Sequence, residues 1–259
     1  MAITTEDVKA LRDETGVSIM QCKKALEEAG GDQEKALIIL KKKSSDIAAK
    51  KADREAHDGL VVVAKNTDTT AVLVLHCETD FVAKGDDFTA LAKTLSEKLL
   101  ADGEEKLVAE APEIINPVVQ KVGENIQLGT MKIVTGPAVG VYVHGGKSGV
   151  IVTLKGGDEN LAKDVAMHIA AMKPSFIKKD DVPAETLAKA TELFQEEVAK
   201  SGKPADIQEK MIQGKIDTYF KEQTLLDQSF IKNPEKTVGT LLKEHNAEIA
   251  EYVTVSATA

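Results

Sequence analysis

The 259-residue sequence contains no tryptophan, and aromatic residues make up only 3% of it. Its cores must therefore be built from Val, Leu, Ile and Ala. Cysteine is nearly absent too: Cys22 and Cys77 are the only two, which excludes a disulfide scaffold and suits a reducing, cytoplasmic setting. No apolar run approaches the roughly 18 residues needed to span a bilayer. The opening MAITTEDVKAL lacks the basic stretch and apolar run of a secretion signal. Positive charge is in deficit, with 33 Lys and Arg against 42 Asp and Glu and a net charge of −9. That balance disfavours general attraction to nucleic-acid phosphates. What is present, 42% hydrophobic and 29% charged residues, is ordinary for a globular protein. The length exceeds a typical domain of about 100–200 residues, so two or three units are expected.

The first fifty residues carry the punctuation of three short helices. Thr4-x-x-Asp7 and Ser18-x-x-Gln21 have capping-box spacing, and Asp32 can cap a third helix. Gly16 and the pair Gly30-Gly31 supply stops. Val8 and Leu11, then Met20 and Leu26, then Ala36, Leu37 and Leu40 are the apolar positions, enough for a small core near the lower size limit. From Lys41 to Arg54 the chain is basic and Ala-rich, and reads as a solvated helical linker.

At Gly59 the period changes from helical to alternating. GLVVVAK, the turn NTDT and TAVLVLHC read as a β-hairpin. A helix capped by Asp87 follows, with Phe88, Leu91, Ala92, Leu95 and Leu99 on one face. After a less patterned helical stretch to about Gly123 and a strand around IQLGTMKIV, the plan recurs. AVGVYVH, the turn GGKS and GVIVTLK form a second hairpin, and a second helix starts near Asp158. Leu75 matches Leu154 at an offset of 79, whereas Lys93 matches Lys163 at an offset of 70. The first strand-to-helix connection is therefore nine residues longer, and the excess holds TDFVAKG. An enlarged loop on a rigid scaffold is where function commonly sits.

Residues 184–200 and 206–222 read as an antiparallel helical hairpin joined by Ser201-Gly202-Lys203-Pro204. Leu187, Leu193, Phe194 and Val198 are expected to face Ile207, Met211, Ile216 and Phe220. A helix from about Pro234 to His245 and the strand IAEYVTV close the chain and are expected to rejoin the second hairpin unit. The division is then 1–54, 55–138, 139–180 with 226–259, and 181–225 as an inserted arm.

Motifs that would carry chemistry fail on spacing. HCETD puts His76, Glu78 and Asp80 on one strand face and Cys77 on the other, with no CxxC or HxxxH anywhere, so no metal site is expected. In GVYVHGGKSG, Gly140 to Lys147 is one residue too long for a phosphate-binding loop. His144, His168 and His245 have no nucleophile elbow to serve. The chain is therefore not expected to be an enzyme or to hold a cofactor. Phe81 stands apart: it is the first aromatic residue of the chain, and it follows two acidic positions closely. It is either a core staple on the next helix or an interface anchor.

Several stretches are similar to the elongation factor Ts family of bacterial translation factors. They are VKALRDETGVSIMQCKKALEEAGGDQEKAL, CETDFVAK, GENI, HGGKSGV, AMHIAAMKPSFI, LLDQSFIKN and TVGTLLKEHNA, in the family's order from end to end. The resemblance implies an α+β fold: a three-helix ubiquitin-associated-like N-terminal domain, two related α+β subdomains with antiparallel sheets, and a protruding helical hairpin. It implies guanine-nucleotide exchange on elongation factor Tu, GDP-bound and nucleotide-free, with no direct nucleic acid or membrane partner and a homodimer formed through the complex. In the family the Asp-Phe of TDFVA inserts into the partner's GTPase domain and displaces groups that hold Mg²⁺. That role falls on Asp80 and Phe81, with Thr79, Val82 and Ala83 shaping the loop. N-domain contacts fall on Arg12, Ile19 and Met20, Ile19 departing from the methionine common there. Many members continue into a further helical module past the last strand, whereas this sequence ends at Ala259. The competing expectation is an adaptor that binds a protein through its N-terminal domain without exchange activity.

Overall fold

The computed structural model describes residues 3–258; Met1, Ala2 and Ala259 lie outside it, and with them the outer ends of the 1–54 and 226–259 segments and the start of MAITTEDVKAL. The described residues form an α+β protein with ten α-helices and three small antiparallel sheets. The same residues form two compact units: 3–135 with 143–149 and 255–258, and 136–142 with 150–254.

In the first unit, α1 (Thr5–Thr15), α2 (Ile19–Glu28) and α3 (Gln33–Lys51) start where the caps predict. Thr4 and Asp7 form a complete capping box, whereas Ser18 caps Gln21 N–H without the reciprocal bond. Val8, Leu11, Cys22, Leu26, Ala36 and Leu40 make the small core. Met20 is not part of it and lies in solvent. The basic stretch is helical, as expected, but it is not a solvated linker. It is the second half of α3, whose Ile47 and Ala48 pack onto the core of the neighbouring sheet.

That sheet has the order β1-β2-β3, from β1 (Asp58–Lys65), β2 (Thr69–Cys77) and, later in the chain, β3 (Ile126–Thr135). Between β2 and β3 lie a one-turn helix α4 (Asp80–Ala83), α5 (Asp86–Asp102) and α6 (Glu104–Val122). Leu73 and Leu75 of β2 pack with Phe88, Leu95 and Leu99 of α5 and with Leu107 of α6. The cap of α5 is Gly85, not Asp87; Asp87 sits in the first turn and pairs instead with Lys121 at 2.6 Å. In α6 the buried residues Leu107, Ala111, Ile115 and Val119 recur every fourth position, a stripe masked in the sequence by Pro112 and Pro117.

The second unit is built on the sheet β4-β5-β8, from β4 (Val139–His144), β5 (Ser148–Lys155) and the last strand β8 (Glu248–Ser256). The last strand thus returns to the second hairpin, as expected. Gly145 and Gly146, at φ 57° and 72°, make the β4–β5 turn within the stretch whose spacing misses that of a phosphate loop. Helix α7 (Glu159–Met172) packs on this sheet, and its buried Leu161, Ala162, Val165 and Ile169 match Leu91, Ala92, Leu95 and Leu99 of α5 at the expected offset. The nine-residue excess is therefore divided between α4 and an additional first turn of α5.

The arm consists of α8 (Ala184–Ala199) and α9 (Ala205–Gln223). Val198 is buried as expected, but Leu193 and Ile207 are exposed, at 65% and 40%, and do not join its seam. A hairpin of β6 (Ser229–Phe230) and β7 (Asn233–Thr237) follows, then α10 (Val238–Glu244). The expected start at Pro234 is thus corrected by four residues. Pro234 lies in β7, and Thr237 accepts a bond from Thr240 N–H as the true cap. No helix among the described residues is long and apolar enough to cross a membrane.

His168 of α7 is fully buried beside Phe230. Its Nε2 lies 2.9 Å from Gln228 Oε1, and its Nδ1 accepts from Ile231 N–H at 3.3 Å. Both contacts require a neutral ring with the proton on Nε2. Burial lowers its pKa below the ordinary 6.5, partly opposed by the Gln228 bond. The unfolded chain therefore binds this proton more readily than the folded one. Stability is full above pH 6.5 and falls as pH drops toward the lower folded value. Thermal melts between pH 7 and 5 should show that decline, and His168→Gln should flatten it.

Candidate functional site

β2 delivers the chain out of the sheet at Cys77, and α4 occupies the middle of the long connection. Thr79 is its N-cap, with Oγ1 accepting from Val82 N–H at 3.4 Å. Ala83 N–H donates to Thr79 C=O and Lys84 N–H to Asp80 C=O, both at 3.1 Å. This single turn sorts its four side chains by direction. Ala83 is fully buried, Val82 packs on the core of the first unit, and Asp80 is half-buried. Phe81 is 83% exposed, the most of any large apolar residue described. It is no core staple. An aromatic ring left in water on a held turn is costly unless something covers it.

The turn is held from beneath. Glu124, in the connection from α6 to β3, accepts three bonds: from Glu78 N–H at 3.1 Å, Thr79 N–H at 3.0 Å and the Thr79 hydroxyl at 2.6 Å. Glu78 reciprocates by accepting from Asn125 N–H at 2.7 Å, and it also meets Arg54 at 3.4 Å. Cys77 donates its S–H to Thr79 C=O at 3.2 Å. Burial, with the Glu124 and Asp58 charges, pushes that thiol up to about 12. It stays protonated and acts as a donor rather than a nucleophile.

On the solvent side Asp80 accepts from Lys84 at 2.7 Å, and that bond holds its carboxyl below the ordinary 3.8. Both charged ends face solvent, so the pair adds little stability and is easily exchanged for another partner. His76, the metal-like neighbour in sequence, turns its ring toward Gly129 of β3, where any added side chain would collide with it.

Arg12 lies in the last turn of α1, and Ile19 and Met20 open α2. All three are exposed, Ile19 at 59% and Met20 at 63%, around the turn formed by Gly16, Val17 and Ser18. The structure thus brings Thr79 to Ala83 into one turn and Arg12, Ile19 and Met20 around another, on separate elements of the first unit. Sequence reasoning missed Glu78, Glu124 and Asn125. The block GENI held the signal for two of them, but nothing in it says which strand end the carboxylate reaches.

Residues 78–258 match the family model described as Elongation factor TS. The chain is 45% identical to elongation factor Ts of Alcanivorax borkumensis over 258 residues, covering 95% of this chain and 90% of that protein. It is 42% identical over 267 residues to elongation factor Ts of Thioalkalivibrio sulfidiphilus, covering 98% and 91%. With elongation factor Ts of Yersinia pestis it shares 41% over 258 residues, covering 98% and 90%.

Proposed function

This chain belongs to the elongation factor Ts family of translation elongation factors, and from that premise we propose that it is a guanine-nucleotide exchange factor for elongation factor Tu. The observation that carries this reading is Phe81, 83% exposed on a turn whose neighbours are anchored. Such a ring buries large apolar area with few rotatable bonds to freeze, which suits a wedge. Entering the partner's GTPase domain with Asp80 beside it, it would disturb the groups that hold Mg²⁺ and the phosphates of GDP. Thr79, Val82 and Ala83 set its direction.

The factor itself performs no covalent chemistry. A protein that weakens GDP binding must, by linkage, be weakened in turn by incoming nucleotide. GTP therefore displaces it, and it can act again in the cytoplasm. The exposed Ile19 and Met20, with Arg12, form the second contact. That surface alone also fits an adaptor without exchange activity, and one experiment separates the two. Trace amounts of the protein are mixed with elongation factor Tu carrying fluorescent GDP and excess unlabelled nucleotide. An exchange factor releases many GDP molecules per copy faster than they leave unaided. Binding without acceleration identifies the adaptor.

The docking surface has its own signature. Ile19→Ala with Met20→Ala should leave the melting temperature unchanged, since neither side chain supports the core. The concentration for half-maximal stimulation should rise about 10-fold or more, as for loss of interface anchors worth roughly 1–3 kcal/mol. The maximal release rate should stay near wild type.

A further inference from the structure

The connection between α6 and β3 holds two things at once. Glu124 accepts the three part-buried bonds that seat α4. Next to it, Asn125 is 4% exposed, and its Nδ2 donates to Arg54 C=O at 2.6 Å and Ala52 C=O at 3.3 Å. Ala52 is the C-cap of α3, and Arg54 lies two residues beyond it. Because α3 runs unbroken from Gln33, its far end belongs to the three-helix core through Ala36 and Leu40. The turn that carries Ile19 and Met20 lies close to this bracket as well: Gly16 stands against the Lys121 side chain of α6, and Ile47 and Ala48 hold α3 on the core of the sheet.

We propose that Glu124 and Asn125 are positioning residues: the bracket they form fixes Phe81 and the Ile19–Met20 surface relative to the rigid sheet before any partner arrives. The proposal rests on the exchange reading above. Neither residue meets the partner. Glu124 sets the wedge, and Asn125, with Gln127 Nε2 donating to the same Ala52 C=O at 3.0 Å, fixes the end of α3 beside the turn that carries Ile19 and Met20. An aligned wedge loses no time or entropy to searching, and misplacement by about 1 Å costs on the order of 100-fold in well-aligned systems.

The two residues should separate kinetically. Glu124→Ala should raise hydrogen exchange of the Ala83, Lys84 and Gly85 amides roughly 10-fold and lower the maximal GDP-release rate by about the same factor. The half-saturating concentration should change little. Glu124→Gln, which keeps one acceptor oxygen, should restore part of both and covers the case in which the alanine variant folds poorly. Asn125→Ala should do the reverse: unchanged α4 amides and maximal rate, with the half-saturating concentration raised about 10-fold. Unchanged α4 amides in both Glu124 variants overturn the proposal, as does a loosened α4 with a wild-type release rate, or wild-type half-saturation in Asn125→Ala. Phe81→Ala is run beside them. If it releases GDP at the wild-type rate, the exchange reading fails, and amide exchange still decides whether Glu124 seats the turn.

Discussion

Phe81→Ala should slow stimulated GDP release from elongation factor Tu by about 30- to 1000-fold while leaving the melting temperature of the protein within about a degree. If the ring is the proposed anchor at an interface centre, its removal costs roughly 2–4 kcal/mol, which sets the rate effect. The unchanged melt follows from position: the ring is 83% exposed, so its loss opens no cavity. Had it been a core staple, the cavity would lower the melt by several degrees. Asp80→Ala should act in the same direction on the rate. Its solvent-facing pair with Lys84 is not needed for folding. Stopped-flow release and thermal melts on one preparation check both halves. A destabilised variant with normal release per folded molecule would contradict the wedge.

Gly140→Ala should be severely destabilising for a single added methyl, by about 3 kcal/mol or more, lowering the melt of the second unit by on the order of 10 °C. A β-carbon at Gly140 would stand 2.1 Å from Lys163 N and 2.2 Å from Ala162 C, both backbone atoms of α7. Neither can rotate aside, so β4 and α7 must separate. Ala162 and Val165 would then lose their packing against the sheet. Gly214→Ala gives the opposite sign. That glycine lies inside α9 with nothing within 4 Å of an added β-carbon, so alanine should stabilise by up to about 1 kcal/mol. Melts of the two variants against wild type test both. An unaffected Gly140→Ala protein would mean that the close approach of β4 to α7 is not required.

Local chemistry was the most legible level of this sequence. Thr4, Ser18 and Asp32 each accept the backbone bond their spacing predicts, because a cap involves only residues three apart, whereas Asp87 does not cap α5. The alternating strands and the α5 stripe were equally plain. The errors arose where a distant partner decides the outcome. Lys41 to Arg54 looked like a linker because its charge hides Ile47 and Ala48, which are partly buried only once the core of the neighbouring sheet is present. Leu193 and Ile207 carry the right period but fall outside the seam that α8 and α9 choose. Pro234 offered a helix start that Thr237, pairing across the β6–β7 hairpin with Ser229, overrides. Gly140 drew notice for the wrong motif, and its reason is a helix backbone more than twenty residues away. At the candidate site, Phe81 stood out as an oddity of composition, and Asp80 entered only through the family resemblance. Glu124 was not, because its bonds span 45 and 46 residues and leave no periodic trace.

The most direct test of the central claim is the rate of GDP release from elongation factor Tu at saturating protein, measured with millimolar Mg²⁺ and again with the metal chelated. If Phe81 and Asp80 act by disturbing the Mg²⁺ site, stimulation over the spontaneous rate is large with Mg²⁺ and much smaller without it, and Phe81→Ala loses chiefly the Mg²⁺-dependent share. Stimulation of equal size under both conditions, or none under either, contradicts it.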